Sequence, residues 1–63
     1  MYAIQMGKGN NDVFIRTLTA DGYDYWRKDS AKIWKTERGA NNGLLKIRKI
    51  NPLGAPCCHV VKI

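Results

Sequence analysis

The sequence predicts a small α+β fold: an antiparallel sheet of three to four strands packed on one helix, in the order β-β-β-α-β. Three observations predict it. Period-two alternation marks Tyr2–Met6, Val13–Thr19 and Cys57–Ile63 as strands. Ala40, Gly43, Leu44, Ile47 and Ile50 recur at helical spacing on one face. The length of 63 residues leaves room for one domain, residues 1–63. A body of that size has a single layer of core between helix and sheet, or a core completed by a second copy. Hydrophobic residues make up 44% and charged residues 25% of the chain, both ordinary for a globular domain. The apolar residues are spread along the whole length and include Trp26 and Trp34, which argues against disorder.

The elements follow in order. Tyr2, Ile4 and Met6 share one face of the opening strand. The run from Gly7 to Asp12 is dense in turn formers. Val13–Thr19 is rich in β-branched residues, with Val13, Ile15, Thr17 and Thr19 expected on one side and Phe14 and Leu18 on the other, flanking Arg16. Ala20-Asp21-Gly22 signals a tight turn, because Asp-Gly tolerates positive φ. Tyr23–Trp26 then returns antiparallel. Asp29 or Ser30 caps a single helical turn through Ala31, or the chain makes an irregular corner there, before a short strand Ile33–Lys35. The helix starts at Thr36 as N-cap, with Glu37 in its first turn where the dipole favours an anion. Arg38, Asn42, Lys46 and Lys49 fall opposite its apolar face. Gly43 sits on the apolar side, where it permits close contact with the sheet. Asn51-Pro52 ends the helix, since the residue before proline avoids the α region. Pro52–Pro56 is a loop. In the last strand Cys57, His59, Val61 and Ile63 share one face, and Cys58, Val60 and Lys62 the other.

Charge is the unusual bulk property. Eleven Lys and Arg stand against five Asp and Glu, a net charge of +6. On so small a body that favours acidic partners: nucleic acid, an anionic protein surface or a lipid headgroup layer. The two adjacent cysteines provide no spaced pair to staple the fold, and a disulfide scaffold of this size would carry more. Their use fits a reducing, cytoplasmic setting. The opening residues lack a basic head and an apolar stretch, so no secretory leader is expected, and no apolar run is long enough to span a bilayer.

Catalytic and metal constellations are weak. In Cys57-Cys58-His59 only Cys57 and His59 face one way, and structural zinc needs four ligands. No metal site is expected, and buried cysteines serve well as small hydrophobes. A Cys–His nucleophile would need a lowered thiol pKa and an oxyanion hole, for which nothing in the chain argues. Asp12, Asp21, Asp24, Asp29 and Glu37 fall mostly in turns and caps, not in catalytic pairs. Gly7-Lys8-Gly9 lacks the rest of either phosphate-loop fingerprint and reads as a hairpin turn. No cofactor is expected.

Basic and aromatic residues crowd one stretch: Tyr23, Tyr25, Trp26, Arg27, Lys28, Lys32, Trp34, Lys35 and Arg38. Interleaved rings and cations suit single-stranded nucleic acid, where bases stack and phosphates pair. They also build protein-interface hot spots. Trp34 reads foremost as a core residue, while Tyr23 and Tyr25 fit core and surface equally. The helix adds a second basic row of Arg38, Lys46 and Lys49, with Arg48 beside it, which is either a solvated face or a track for a phosphate backbone. The two helix glycines argue against a groove-reading recognition helix.

The run from Tyr25 to Ala40, with its Tyr-Trp-Arg-Lys start, acidic turn, Ala31-Lys32-Ile33-Trp34 segment and Thr36-capped helix, resembles small accessory proteins of bacteriophages. The opening Tyr2-Ala3-Ile4-Gln5 and closing Val60-Val61-Lys62-Ile63 resemble the edges of such proteins; Asn42 and Gly43 depart from the Ala and acidic residues of their helix. The resemblance implies a phage or mobile-element origin and assigns no residue a role. It implies a binding protein that inhibits or modulates a host macromolecule, such as a polymerase, nuclease or defence complex. The expectation is therefore a non-catalytic protein acting in the host cytoplasm through Tyr23, Tyr25, Arg27, Lys28, Lys32, Lys35, Arg38, Lys46 and Lys49. Its partner would be a host protein or protein–nucleic-acid complex, with direct DNA or RNA binding as the alternative. A homodimer joined along the last strand, Cys58–Ile63, is a further alternative.

Overall fold

The computed structural model describes residues 1–7, 12–53 and 58–63. The elements in chain order are β1 (Tyr2–Gln5), β2 (Val13–Leu18), β3 (Tyr23–Arg27), a 3-10 turn (Lys28–Ser30), α1 (Glu37–Ile50) and β4 (His59–Lys62). The four strands form one antiparallel sheet in the order β3-β2-β1-β4, with α1 against it, as the α+β reading expects. The second hairpin strand runs one residue further than expected, to Arg27, and β1, β2 and β4 are each trimmed at their ends. Lys8–Asn11, which includes most of the glycine-lysine-glycine turn, and Gly54–Cys57 lie outside the described residues.

The core sits between helix and sheet. Ile4, Ile15 and Ile47 are completely buried and meet Leu44 and Cys58; Met6, Leu18, Tyr23, Trp34 and Val60 close around them. Each fully buried isoleucine contributes on the order of 2 kcal/mol through apolar area removed from water. The parity of the last strand is as expected: Cys58 and Val60 join the core, and His59 lies on the far face, where its Nε2 is 2.9 Å from Gln5 Oε1.

The parity of β2 is not as expected. Ile15 pairs with Tyr25, but the next pair is Thr17 with Asp24, so Arg16 is an extra residue in a bulge. A bulge reverses the alternation beyond it. Leu18 therefore returns to the helix side and packs on the core, while Phe14 faces away, level with Gln5 and Trp26. Arg16 turns outward and its guanidinium grips Asp24, with Nη2 2.7 Å from Oδ2 and Nε 3.3 Å from Oδ1. Asp24 Oδ1 also accepts from the Thr17 amide.

The hairpin turn works without positive φ at Asp21 or Gly22; Gly7 is the one described residue in that region. Thr19 closes it instead. Its Oγ1 accepts from the amides of Asp21 and Gly22 and donates to the Gly22 carbonyl. Past β3 the chain makes the helical turn and not the irregular corner, the Ala31 amide donating to the Lys28 carbonyl. Neither Asp29 nor Ser30 caps it: both lie within the turn, whose N-cap is Arg27 with no side-chain cap bond. The following segment is not a strand. It makes a single antiparallel bridge, in which Trp34 and Tyr2 exchange both backbone bonds at 2.8 and 2.9 Å, and Lys32 donates to the Ile15 carbonyl. These three bonds insert the segment beside β1 and β2 and fix where Lys32 and Trp34 stand.

Thr36 caps α1 as expected, its Oγ1 accepting from the Gly39 amide at 3.0 Å. A cap of this kind is worth about 1 kcal/mol. Glu37 at the first turn and Arg48 and Lys49 at the last match the dipole. Ala40, Gly43, Leu44 and Ile47 are the buried face.

Candidate functional site

The site grows out of one close approach. An added Cβ at Gly43 would stand 2.7 Å from Trp34 Cζ2 and 3.2 Å from Cε2, and one at Gly39 would stand 3.2 Å from Trp34 Cδ1. Real Cβ atoms do not sit at 2.7 Å, so Trp34 reaches this position because residue 43 has no side chain. The expected close contact at Gly43 is thus with an indole above the sheet as well as with Ile4 of β1. Cδ1 and Cε2 flank the indole nitrogen, so that edge of the ring lies along the helix between the two glycines.

The bridge that fixes Trp34 also places Lys32, whose Nζ stands 5.5 Å from the centre of the Trp34 ring. From the helix, Lys46 and Lys49 reach toward the same space. Together with Leu18, Thr19 and Ala20 of the hairpin end and Asn42 of the helix they line an open groove of about 470 Å³. None of the described lining residues is Asp or Glu. Three lysines thus line one groove with an aromatic ring, with no carboxylate among the described lining residues, and the local charge there is positive. Lys46 and Lys49 are therefore not simply opposite the apolar face. Both are exposed and also border the groove.

The aromatic and basic stretch does not form one surface. Lys32 joins the groove. Tyr25 and Arg27 lie at the other end of the hairpin, where with Asp12, Val13 and Trp26 they line a shallow recess of about 230 Å³. The distance along β2 from Leu18 to Val13 is roughly 16 Å at strand rise. Tyr23 is half-buried against the core, and its hydroxyl accepts from Asn51 Nδ2 at 3.2 Å. Lys28 is exposed in the 3-10 turn, whose first amide donates to Asp12 Oδ1. Lys35 and Arg38 are exposed on either side of the helix start. Trp34, read as core, is core and groove wall at once. The signal for that second role was the Gly39/Gly43 pair four residues apart on the apolar side of a cationic helix.

Elsewhere, the Asp24 carboxyl is held below its ordinary value. Hydrogen bonds from Arg16 and Thr17 bring it down to about 2. Cys58 and His59 point to opposite faces of β4, the thiol donating to the Met6 sulfur at 3.5 Å. Among the described residues no three His, Cys, Asp or Glu gather to hold a metal ion, and no helix is long and apolar enough to cross a membrane. No protein-family model, curated protein or solved structure matches the chain.

Proposed function

We propose that this chain is a non-catalytic binding protein whose partner is nucleic acid, held through its phosphates in the groove between α1 and the β2–β3 hairpin end. The observation that carries the reading is that Lys32, Lys46 and Lys49 line one groove with Trp34, without a described carboxylate in the lining. The net charge of +6 supports it, since the whole surface attracts a polyanion and the groove gives it a place to settle. Bound to a nucleic acid or to a complex that contains one, so small a protein would act by occupying sites that larger machines use.

A second reading, inhibition of a host protein, draws on a different observation. Tyr25 and Trp26 are more than half exposed on an edge strand, beside Arg27 and Lys28. Tyr, Trp and Arg are the residues that dominate protein interfaces, and the resemblance to phage accessory proteins points the same way.

One experiment separates the two. A labelled oligonucleotide is titrated with the wild type, with Lys46→Glu/Lys49→Glu and with Arg27→Glu/Lys28→Glu, each at several salt concentrations. The expected result is binding that weakens with salt at a logarithmic slope of about −2 to −3, as three phosphate contacts require. It is lost in the helix variant and nearly kept in the hairpin variant. A flat salt response, or equal binding by the helix variant, overturns the groove. Selective loss in the hairpin variant moves the interface to β3.

A further inference from the structure

We infer that the groove selects single-stranded over double-stranded nucleic acid, because Trp34 is a stacking platform that Lys32 covers until a phosphate draws it away. The inference rests on the nucleic-acid reading above and adds the form of the ligand.

Trp34 lines the groove and is partly buried. The nitrogen-bearing edge of its ring is held along Gly39 and Gly43, its backbone is bridged to Tyr2, and Lys32 Nζ stands over the ring at 5.5 Å. The ring is thus fixed at its backbone and along one edge, and the group covering it is the flexible end of a four-carbon side chain. An ammonium over an indole is a modest contact in reach of water, and stacking of a base on the same ring is the stronger one. A phosphate gives Lys32 a better partner than the ring does. One nucleotide supplies both exchanges: its phosphate takes the lysine and its base takes the tryptophan. The groove, at about 470 Å³, is in the size range of sites that hold small molecules, which accommodates one nucleotide. A base inside a duplex is stacked on both faces and paired along one edge, and cannot present a face to a protein ring. Duplex binding is then limited to phosphate contacts with the groove's lysines.

Asn42 lines the same groove from the helix and offers an amide that both donates and accepts. It suits the edge of any base, so the groove discriminates strandedness and not sequence.

The test uses Trp26→Phe, which leaves Trp34 as the sole tryptophan and changes an exposed ring for another. Its fluorescence is followed during titration with oligothymidylate, with a duplex, with an abasic strand and with inorganic phosphate, while anisotropy of labelled strands reports affinity. The expected result is a change in Trp34 emission with oligothymidylate alone, and binding of that strand at least about tenfold tighter than duplex or abasic strand. Lys32→Met should reduce the salt slope for oligothymidylate by about one while the emission change persists. Equal affinity for all the strands with silent Trp34 emission overturns the stacking inference and leaves phosphate binding standing. Failure of every strand to bind at low salt overturns the nucleic-acid reading and this inference together.

Discussion

The two tryptophans lie eight positions apart in the chain and lead different lives. Trp34 is half-buried, packed on Ile4 and the helix glycines and bridged by backbone to β1. Trp26 lies on the opposite face of the sheet, level with Phe14, with 55% of its surface exposed. One ring is part of the structure that makes the groove; the other is carried by an edge strand that does not depend on it. The charges divide in the same way. The Debye length at physiological salt is about 8 Å, and the molecule measures 24 × 22 × 16 Å. Lysines in the groove and basic residues at the far end of the hairpin therefore act as separate patches. A composition of eleven basic residues does not make one basic face; the fold decides how many there are.

The largest effect that would break this comparison is on stability. Trp34→Ala should lower the unfolding free energy by about 2–4 kcal/mol, from lost burial and a partly collapsed cavity. Trp26→Ala should change it by about 0.5 kcal/mol or less, as surface substitutions do. A chain of this size has only about 3–9 kcal/mol in total, so the first variant should lose a large share of its stability and its urea midpoint should fall accordingly. Equal midpoints for the two variants would show that both rings are structural and that the groove wall is not special.

A smaller effect sharpens the same point. Gly43→Ala improves helix propensity by about 1 kcal/mol, yet the new methyl stands 2.7 Å from the Trp34 ring. Overpacking of this kind costs about 1–3 kcal/mol, and a ring held along one edge and bridged at its backbone yields poorly. The net expected change is a loss of about 1 kcal/mol by urea denaturation, with unchanged slope. Gly22→Ala, where no atom lies within 4 Å of an added Cβ, serves as the control and should be neutral or slightly stabilising. A stabilised Gly43→Ala would mean that Trp34 moves freely and that the groove has no fixed wall.

These outcomes also mark what the sequence could and could not convey. The helix was legible because its signals are local: Thr36, Glu37 and the apolar spacing from Ala40 to Ile50 each act within a turn or two. The last strand was legible for the same reason, through the alternation of Cys58, His59, Val60 and Val61. Arg16 was not. A bulge depends on which partner lies opposite, and alternation read along one strand cannot reveal an extra residue. Ile33–Lys35 looked like a strand by composition, but the sheet offers it only Tyr2 as a partner. The binding stretch from Tyr23 to Arg38 read as one patch because sequence distance is short. The 3-10 turn and the Trp34 bridge then carry its two halves to different places. Lys32, Lys46 and Lys49 meet only because a helix flank and an inserted segment come together, which no local pattern encodes.

The smallest expected effect concerns Asp24, the partner of the bulged Arg16. Its carboxyl is held down at about 2, against an ordinary value of 3.8, first by the Arg16 hydrogen bonds and then by that from Thr17. A depressed acid stabilises the fold when ionised. Its contribution is fully present above about pH 4 and fades as the pH falls through 2, because the unfolded chain takes up the proton first. Both side chains are close to half exposed, so solvent and salt screen the pair and the contribution is small. The measurement is the difference in urea midpoint between wild type and Asp24→Asn as a function of pH. That difference should be constant at neutral pH and close between pH 4 and 2, and it should narrow in high salt. The bulge ties this ion pair to the register of the hairpin, so the same titration asks whether Arg16 holds β2 and β3 in place or merely decorates them. A gap that stays open at pH 2 would assign the stabilisation to the Thr17 amide bond, which an asparagine carboxamide oxygen can replace only in part, and not to the charge.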